Sequence, residues 1–407
     1  MITLGEPTII RKVGPTRLME ETRIRERETA TLGKVDGDLR AEDHVLIRAA
    51  DGHSVSVSGR AEFEGSIEID CDFDCSSLES DDGLVRIDGN LTVRGRIDVE
   101  EALYTRGTVK ADDVDVGGKL SIGGSLEARR VDVGGSIDVQ GDVIADSVDA
   151  GGSFEVIGNM KLERLDVGGT ASVGGGEAAG GIDVGGKFVS ARALRFDKID
   201  TGGIVELAGG EGKVVEVGGK LRSNGDLRCE EVRVGGVADV DGRLWVKTAE
   251  VGGKIRVSGD LQMEERLEVG GVAEIGGVLS GRDAEVGGIL KALKGVLSGS
   301  AEVGGRVETS QGFRAQSVEL GKGARCVGTL VGDRVRIGRT AQVQDVYCND
   351  LEVEGGTRMG TVYAESAEIG DNCVIDKLVY TRELREGERV YHRNPPEKAD
   401  KLPNFPL

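Results

Sequence analysis

Short runs of alternating apolar and polar residues fill most of the chain, and a Val-Gly-Gly unit returns among them at a nearly constant distance. Over residues 115–305 the interval between units is about 17 residues, with a slip of one position after Gly202 and another after Gly252. Repetition at this spacing indicates a repeat protein, in which each unit contacts its neighbours. We expect the first glycine of each unit to form a structural corner; these residues are Gly117, Gly134, Gly151, Gly168, Gly185, Gly202, Gly218, Gly235, Gly252, Gly270, Gly287 and Gly304.

The pattern inside one unit predicts strands. In residues 114–126 apolar and polar positions alternate with a period of two, which is typical of strands with one buried face. The glycine pairs 117–118 and 123–124 interrupt this alternation, and glycine tolerates the positive φ of a tight corner. A third corner is expected near residues 128–130. A unit of about 17 residues with three strands predicts one coil of a β-solenoid with a triangular cross-section.

Equivalent residues of successive coils would lie on top of one another, about 4.8 Å apart. Two apolar columns are expected to form the core, because β-branched and other aliphatic residues pack well on a pleated surface. The first column contains Val116, Val133, Ala150, Val167, Val184, Thr201, Val217, Val234, Val251, Val269, Val286 and Val303. The second contains Leu120, Ile137, Phe154, Phe188, Val205, Leu221, Ile255, Leu290 and Val307.

Proline positions indicate the limits of the sheet. All six prolines lie outside residues 16–394, and proline cannot donate a hydrogen bond to a ladder. Length alone would suggest two or three domains, but an uninterrupted repeat predicts one elongated domain. The predicted divisions are an N-terminal appendage (1–30), irregular first coils (31–83), a regular β-helix (84–379) and a proline-containing C-terminal cap or tail (380–407).

The charge of the chain restricts its partners. A net charge of −20 and a pI near 4.8 predict repulsion of nucleic acid, which is not expected as a partner, and of anionic membranes. The sequence shows neither an apolar run long enough for a membrane span nor the pattern of a signal peptide. We therefore predict a cytoplasmic protein and leave association with a membrane open.

One surface position is acidic in 15 of 17 coils between Asp98 and Glu368. It lies between the two inward residues of the first strand, so stacking would produce an acidic ladder that includes Asp115, Asp132, Asp149, Asp166, Asp183, Asp200, Glu216, Glu250, Glu268, Glu285, Glu302 and Glu319. Like charges on paired strands are destabilising, and we expect screening by Lys119, Lys187, Lys220, Lys254 and Arg306. A solvated, screened row is favoured, and binding of divalent cations or of a basic partner is the alternative.

No arrangement of residues predicts catalysis. The six cysteines lie at unrelated phases of the repeat, and a C-x-x-x-C spacing at Cys71 and Cys75 matches no strong zinc motif, so reduced thiols are expected. Only three histidines are present, and no nucleophile has an identifiable base. We predict that the protein is not an enzyme and has no catalytic, cofactor-binding or metal-binding residues.

The glycine-cornered coils, such as Val-Asp-Val-Gly-Gly-Ser-Ile-Asp-Val-Gln-Gly-Asp-Val at residues 131–143, resemble the bactofilins, the polymer-forming cytoskeletal family. The resemblance covers roughly residues 84–379. It implies a right-handed parallel β-helix that joins end to end into filaments without nucleotide and serves as a cytoplasmic scaffold, often near the membrane. The expected partner is a second copy of the chain, with other scaffold or envelope proteins as further candidates.

Two other functions fit a β-solenoid less well. A scaffold subunit of a larger enzyme would be similar to the β-helical domains of glutamate synthase or formylmethanofuran dehydrogenase, which use G-x-G-x-G repeats of longer spacing. A hexapeptide-repeat acyltransferase would have coils of three hexapeptides and a catalytic histidine. The shorter period of this chain and its scarcity of histidine argue against the acyltransferase.

Overall fold

Short parallel strands, each hydrogen-bonded to equivalent strands on neighbouring turns, build the described chain. The computed structural model describes residues 21–405, and these residues contain no helix. Their contacts separate two compact units, unit 1 ending at Gly202 and unit 2 beginning at Gly203, and each is described by itself. The predicted all-β solenoid with ~17 residues per turn is confirmed in both units, whereas a single elongated domain stays a prediction.

Unit 1 contains the strands β1 Thr22–Ile24, β2 Thr29–Leu32, β3 Lys34–Val35, β4 Leu39–Ala41, β5 Val45–Ala49, β6 Ser54–Val57, β7 Arg60–Phe63, β8 Ile67–Ile69, β9 Asp72–Cys75, β10 Ser77–Ser80, β11 Leu84–Ile87, β12 Leu91–Val93, β13 Arg96–Val99, β14 Ala102–Thr105, β15 Val109–Lys110, β16 Asp113–Val116, β17 Lys119–Ile122, β18 Leu126–Glu127, β19 Arg130–Val133, β20 Ser136–Val139, β21 Val143–Ala150, β22 Ser153–Val156, β23 Met160–Val167, β24 Thr170–Val173, β25 Gly176–Val184, β26 Lys187–Ser190 and β27 Leu194–Thr201.

Unit 2 contains the strands β28 Ile204–Leu207, β29 Gly210–Val217, β30 Lys220–Ser223, β31 Leu227–Arg228, β32 Glu231–Val234, β33 Val237–Val240, β34 Leu244–Val251, β35 Lys254–Val257, β36 Leu261–Val269, β37 Val272–Gly281, β38 Asp283–Val286, β39 Ile289–Leu297, β40 Ser300–Val303, β41 Arg306–Thr309, β42 Phe313–Leu320, β43 Arg325–Ile337, β44 Gln342–Val353, β45 Arg358–Ile369, β46 Val374–Glu386, β47 Tyr391–His392 and β48 Glu397–Lys398.

Three strand segments make one turn. In unit 1, β7, β8 and β9 follow one another, and then β10 pairs with β7, β11 with β8 and β12 with β9, all in parallel. This order gives the predicted three-sided turn. From β21 onward the third segment of several turns runs directly into the first segment of the next, because a single residue such as Asp146 forms the corner between them.

The interior is filled by columns of apolar side chains. Val99, Val116 and Val133 pair in register and are at most 1% exposed, as the spacing predicted. The second column contains small residues that the sequence reading had omitted, since Ala171 lies between Phe154 and Phe188. A small side chain between two large ones lets successive layers interdigitate without leaving a void.

The N-terminal boundary of the solenoid is corrected by this structure. The predicted appendage, residues 1–30, contains β1 and the beginning of β2, and both Ile24 and Ala30 are buried. Dense charges around these short strands obscured their alternation, and residues 1–20 lie outside the described residues. The first coils are irregular as expected, because the interval between equivalent positions lengthens from Ala41 to Phe63 and again from Ser80 to Val99.

The ladder also continues beyond the predicted end at residue 379. β46 runs to Glu386, and within the predicted cap or tail β47 and β48 both pair with β46. After Lys398 the chain leaves the ladder and returns along the side of unit 2, where the Phe405 ring lies 5.9 Å from the Tyr347 ring. The segment is therefore partly a last incomplete turn and partly a strap over earlier turns.

Lack of space, and not the expected positive φ, explains glycine at the predicted corners. None of the twelve predicted corner glycines has a positive φ. A Cβ added to Gly134 would lie 2.3 Å from the carbonyl oxygen of Gly117, and one added to Gly151 would lie 2.2 Å from that of Gly134. The Gly151 N–H also donates to the Val133 carbonyl at 3.0 Å, so the backbone cannot move away without losing a ladder hydrogen bond.

Replacing a corner glycine should therefore destabilise the fold. We expect Gly151→Ala to lower the free energy of unfolding by roughly 1–3 kcal/mol, the range typical of overpacking. Gly181→Ala is the matched control, because its added Cβ meets nothing within 4 Å and its φ is not positive. Urea unfolding of both variants measures the difference, and equal stabilities would contradict the steric explanation.

Candidate functional site

The acidic ladder is a continuous stacked column within unit 1. Asp98, Asp115 and Asp132 occupy equivalent positions of paired strands, and the register continues without interruption to Asp200. It also extends backwards through Glu79 to Glu62. The resulting run contains nine consecutive carboxylates: Glu62, Glu79, Asp98, Asp115, Asp132, Asp149, Asp166, Asp183 and Asp200. On the two turns before Glu62 the same position contains Arg40 and Arg23.

Sequence reasoning missed the first two members because the spacing changes before Asp98. Glu79 lies further from Asp98 along the chain than the regular period allows, so a search for that period does not find it. The signal that could have found both was local: Glu62 and Glu79 each lie between two inward residues of a short strand. The ladder of unit 1 is therefore longer than predicted.

Basic residues on every second turn screen this ladder. Arg96 contacts both Asp98 at 2.9 Å and Asp115 at 2.7 Å. Arg130, Arg164 and Lys198 follow, each two turns after the one before, and contact Asp132, Asp166 and Asp200 at 3.1, 3.7 and 2.9 Å respectively. Each basic residue lies two positions before an aspartate on the same strand, which places both side chains on the same outward face.

The counter-ions are not the ones that the sequence predicted. Lys119, Lys187, Lys220, Lys254 and Arg306 begin the second strand of their turns and belong to a different face. Lys254 contacts Glu274 at 2.7 Å, and Arg306 contacts Glu308 at 3.1 Å, so these two bases serve another column. The prediction failed because two residues that are close in sequence but separated by a corner lie on different faces of the solenoid.

In unit 2 the same position contains bases as well as acids. Arg233 lies between Glu216 and Glu250 in register and contacts Glu216 at 2.9 Å. Arg336 contacts Glu352 at 3.0 Å. The predicted members Glu268, Glu285, Glu302 and Glu319 are stacked between these two arginines. Unit 1 therefore has a run of nine stacked carboxylates, whereas Arg233 and Arg336 limit the run between them in unit 2 to five.

A neighbouring face of unit 2 carries a column in which the charge alternates. The order is Glu206, Arg222, Asp239, Arg256, Glu274, Lys291 and Glu308, with all members paired in register. Lys254 hydrogen-bonds to Glu274 and lowers the pKa of its carboxyl, and Lys291 does the same for Glu308. Opposite charges on adjacent strands stabilise each other, so this column neutralises itself.

Asp149 shows the electrostatic cost of the uniform ladder. Its turn carries Ser147 where neighbouring turns carry Arg130 and Arg164. Although Asp149 is exposed, partial desolvation raises the pKa of its carboxyl, the charges of Asp132 and Asp166 raise it further, and the two arginines oppose these effects. The ionised form of Asp149 therefore costs stability in the folded state.

Polar side chains at another corner form a structural column that the sequence reading did not identify. Asp72 Oδ1 accepts a hydrogen bond from the Asn90 N–H at 2.7 Å, and Asn90 Oδ1 accepts one from the Thr108 N–H at 2.8 Å. Ser125, Asp142 and Asn159 continue the pattern. The available signal was a glycine followed by Asn, Asp, Ser or Thr. Asp72, Asn90 and Thr108 line part of a surface depression of about 370 Å³, but Asp72 Oδ1 and Asn90 Oδ1 already accept backbone hydrogen bonds.

The remaining candidate chemistry is also structural. Within residues 21–405 no three His, Cys, Asp or Glu side chains are grouped so that they could hold a metal ion. All six cysteines are free and buried. Burial raises the pKa of the Cys75, Cys229 and Cys326 thiols to about 12, which keeps them protonated and poorly nucleophilic at neutral pH.

The last described turn places two polar side chains in columns that are apolar elsewhere. Glu386 follows Ile369 in the first inward column, and His392 follows Ile375 in the second. His392 Nε2 contacts Glu386 Oε1. Inward-pointing charged residues are a common means of blunting the edge of a sheet, so this end of the core is closed by a polar pair.

Comparison with known proteins gives no relative. No family model, no curated protein and no solved structure matches the chain. The resemblance to bactofilins therefore stays a prediction. In the described part of the chain no helix has the length and hydrophobicity that crossing a bilayer requires.

Removing the charge of Asp149 should stabilise the protein at neutral pH. We expect Asp149→Asn to raise the free energy of unfolding by up to ~1 kcal/mol, because it relieves repulsion between stacked carboxylates. The folded-state pKa is raised, so protonation of Asp149 favours folding. The advantage of the variant should therefore shrink as the pH falls from about 7 towards about 4.

Asp132→Asn is the control, because Asp132 has an ion pair with Arg130 at 3.1 Å that the substitution removes. This variant should be no more stable than the parent protein. Thermal unfolding across the pH range measures both effects. A destabilised Asp149→Asn variant, or a difference that does not depend on pH, would contradict this account of the ladder.

Proposed function

We propose that this protein is a non-enzymatic structural scaffold, bactofilin-like, that associates with copies of itself. The observation that carries the proposal is that inward and outward positions of each turn have different roles. Inward side chains such as Val116 and Val133 are fully committed to packing, and outward positions repeat as stacked columns. Basic residues pair with acids along these columns, as Arg96 does with Asp98 and Asp115, and no three His, Cys, Asp or Glu side chains of the described residues are grouped so that they could hold a metal ion. A cytoplasmic location is part of the proposal, and six free thiols support it.

Association through the coil ends remains the proposed bactofilin-like mode, and the last described turn has features for and against it. β47 and β48 cover only two of the three sides of that turn. Within the described residues no strand pairs with the outer edge of residues 383–386, which leaves backbone groups available to another chain. The Glu386 and His392 pair would, however, have to be desolvated when a second copy covers it.

Sedimentation velocity and negative-stain electron microscopy over a wide concentration range test the proposal. We expect species larger than a monomer, with a fraction that rises with concentration. A strictly monomeric protein at every concentration would contradict a self-associating scaffold.

Replacing the polar pair should reveal whether the ends make the contact. We expect Glu386→Leu combined with His392→Leu to lower the concentration needed for assembly, because burying two apolar side chains is favourable where burying charges is not. Glu368→Leu is the control, since Glu368 occupies an outward position one turn inside the edge. Sedimentation velocity of the three proteins gives the comparison, and an unchanged midpoint in the double variant would exclude this end as the contact.

A further inference from the structure

The strap formed by residues 399–405, here called the return segment, covers an apolar strip on one face of unit 2. The strip consists of outward residues at equivalent positions of four consecutive turns: Val331, Tyr347, Tyr363 and Val379. The rings of Tyr347 and Tyr363 stack with centroids 4.9 Å apart, and Phe405 meets Tyr347 edge-on at 5.9 Å. An aromatic side chain of the return segment therefore extends an aromatic ladder of the solenoid.

Burial shows how closely the segment covers the strip. Val331, which lines the groove beside Phe405, is 1% exposed, and Val379, which pairs with Glu397 of β48, is 5% exposed, although both point outward. Gln262 and Arg314 occupy the same column on earlier turns of unit 2 and are exposed. Without the return segment, Val331 and the two tyrosines would form a contiguous apolar patch of the kind that usually marks an interaction site.

Backbone hydrogen bonds hold the return segment only at its first residue, and side chains hold the rest. The Ala399 N–H donates to the Tyr380 carbonyl at 2.8 Å. Beyond Ala399, Pro403 has no N–H to donate, and Leu402 and Phe405 are only half-buried. A segment with few buried contacts and little backbone pairing opens at low free energy. An open volume of about 320 Å³ remains beside Phe405, so the segment does not fill its groove.

We propose that residues 399–405 of a second copy of this chain occupy the same strip, so that two chains exchange their return segments and form a symmetric dimer. This inference rests on the proposed self-association and adds to the coil ends a second contact surface, on the side of unit 2. The contact that Phe405 makes with Tyr347 within one chain can be made identically to the strip of a partner. The intramolecular form is then favoured by effective concentration, and the exchanged fraction rises with protein concentration.

Cross-linking between two differently substituted chains tests the exchange directly. Asp333 lines the groove beside Phe405, and Asn404 precedes Phe405, and both are exposed. Asp333→Cys is introduced in one full-length chain and Asn404→Cys in another, and the mixture is treated with a short bis-maleimide. The native cysteines are all buried and should not react. We expect a covalent heterodimer that requires both substitutions, and a yield that rises with concentration.

A chain carrying both substitutions reports closure within one molecule. Efficient cross-linking of that chain, without any heterodimer in the mixture, would overturn the exchange. If the parent protein still sediments as an assembly in that case, the scaffold proposal stands and only its contact surface is wrong. If the parent protein is a monomer at every concentration, the scaffold proposal itself fails.

A second variant separates specific exchange from chance collision. Phe405→Ala in the Asn404→Cys chain removes the same ring contact from the closed and the exchanged form, so it should lower the heterodimer yield and the closure within one chain by a similar factor. Asp400→Ala in the same chain is the matched control, because Asp400 is exposed within the return segment. It should leave the yield unchanged. Equal yields from the two variants would show that the return segment does not direct the contact.

Discussion

The fold depends on how closely successive turns approach each other at the first corner of each turn. Ladder hydrogen bonds such as that from Gly151 N–H to the Val133 carbonyl hold the corners so close that the Gly134 oxygen occupies the place of a Cβ. On the turns that carry two corner glycines a Cβ does not fit at this position, and the corners align so that the residues between them pair in register. Glutamate occupies the equivalent position on other turns, at Glu100 and Glu354. The stacked columns, apolar inside and charged outside, follow from that alignment.

The same alignment places like charges next to one another on the surface, where they repel. The fixed register places each ladder aspartate of unit 1 directly over the previous one, and arginine or lysine on alternate turns screens their charges. In unit 2, arginines such as Arg233 occupy positions between the acids of the ladder and contact them directly. Both solutions leave exposed, regularly spaced charges on one face. That regularity suits a surface that meets partners repeatedly along its length, and it supports a structural function over a catalytic one.

Much of this architecture could be predicted from the sequence, because periodicity maps directly onto stacking. Spacing alone identified the inward valines and the aspartates from Asp98 onward. It did not identify Glu62, since longer turns break the period on either side of its segment. The counter-ions were assigned wrongly because the distance between two residues along the sequence does not show whether a corner places them on different faces. The contact of Phe405 with Tyr347 leaves no periodic signal at all, since it joins a segment outside the ladder to one inside it.

Two side-chain patterns alternate between successive turns, and this restricts how many turns can be deleted or duplicated. Both the basic residues beside the acidic ladder and the sequence Phe154, Ala171, Phe188 repeat on every second turn. Deleting one turn would preserve all backbone pairing, yet it would juxtapose two phenylalanines or two arginines. Deleting or duplicating two turns would disturb neither pattern. The smallest insertion or deletion that keeps both patterns of this stretch is therefore a pair of turns, twice the length of the glycine repeat.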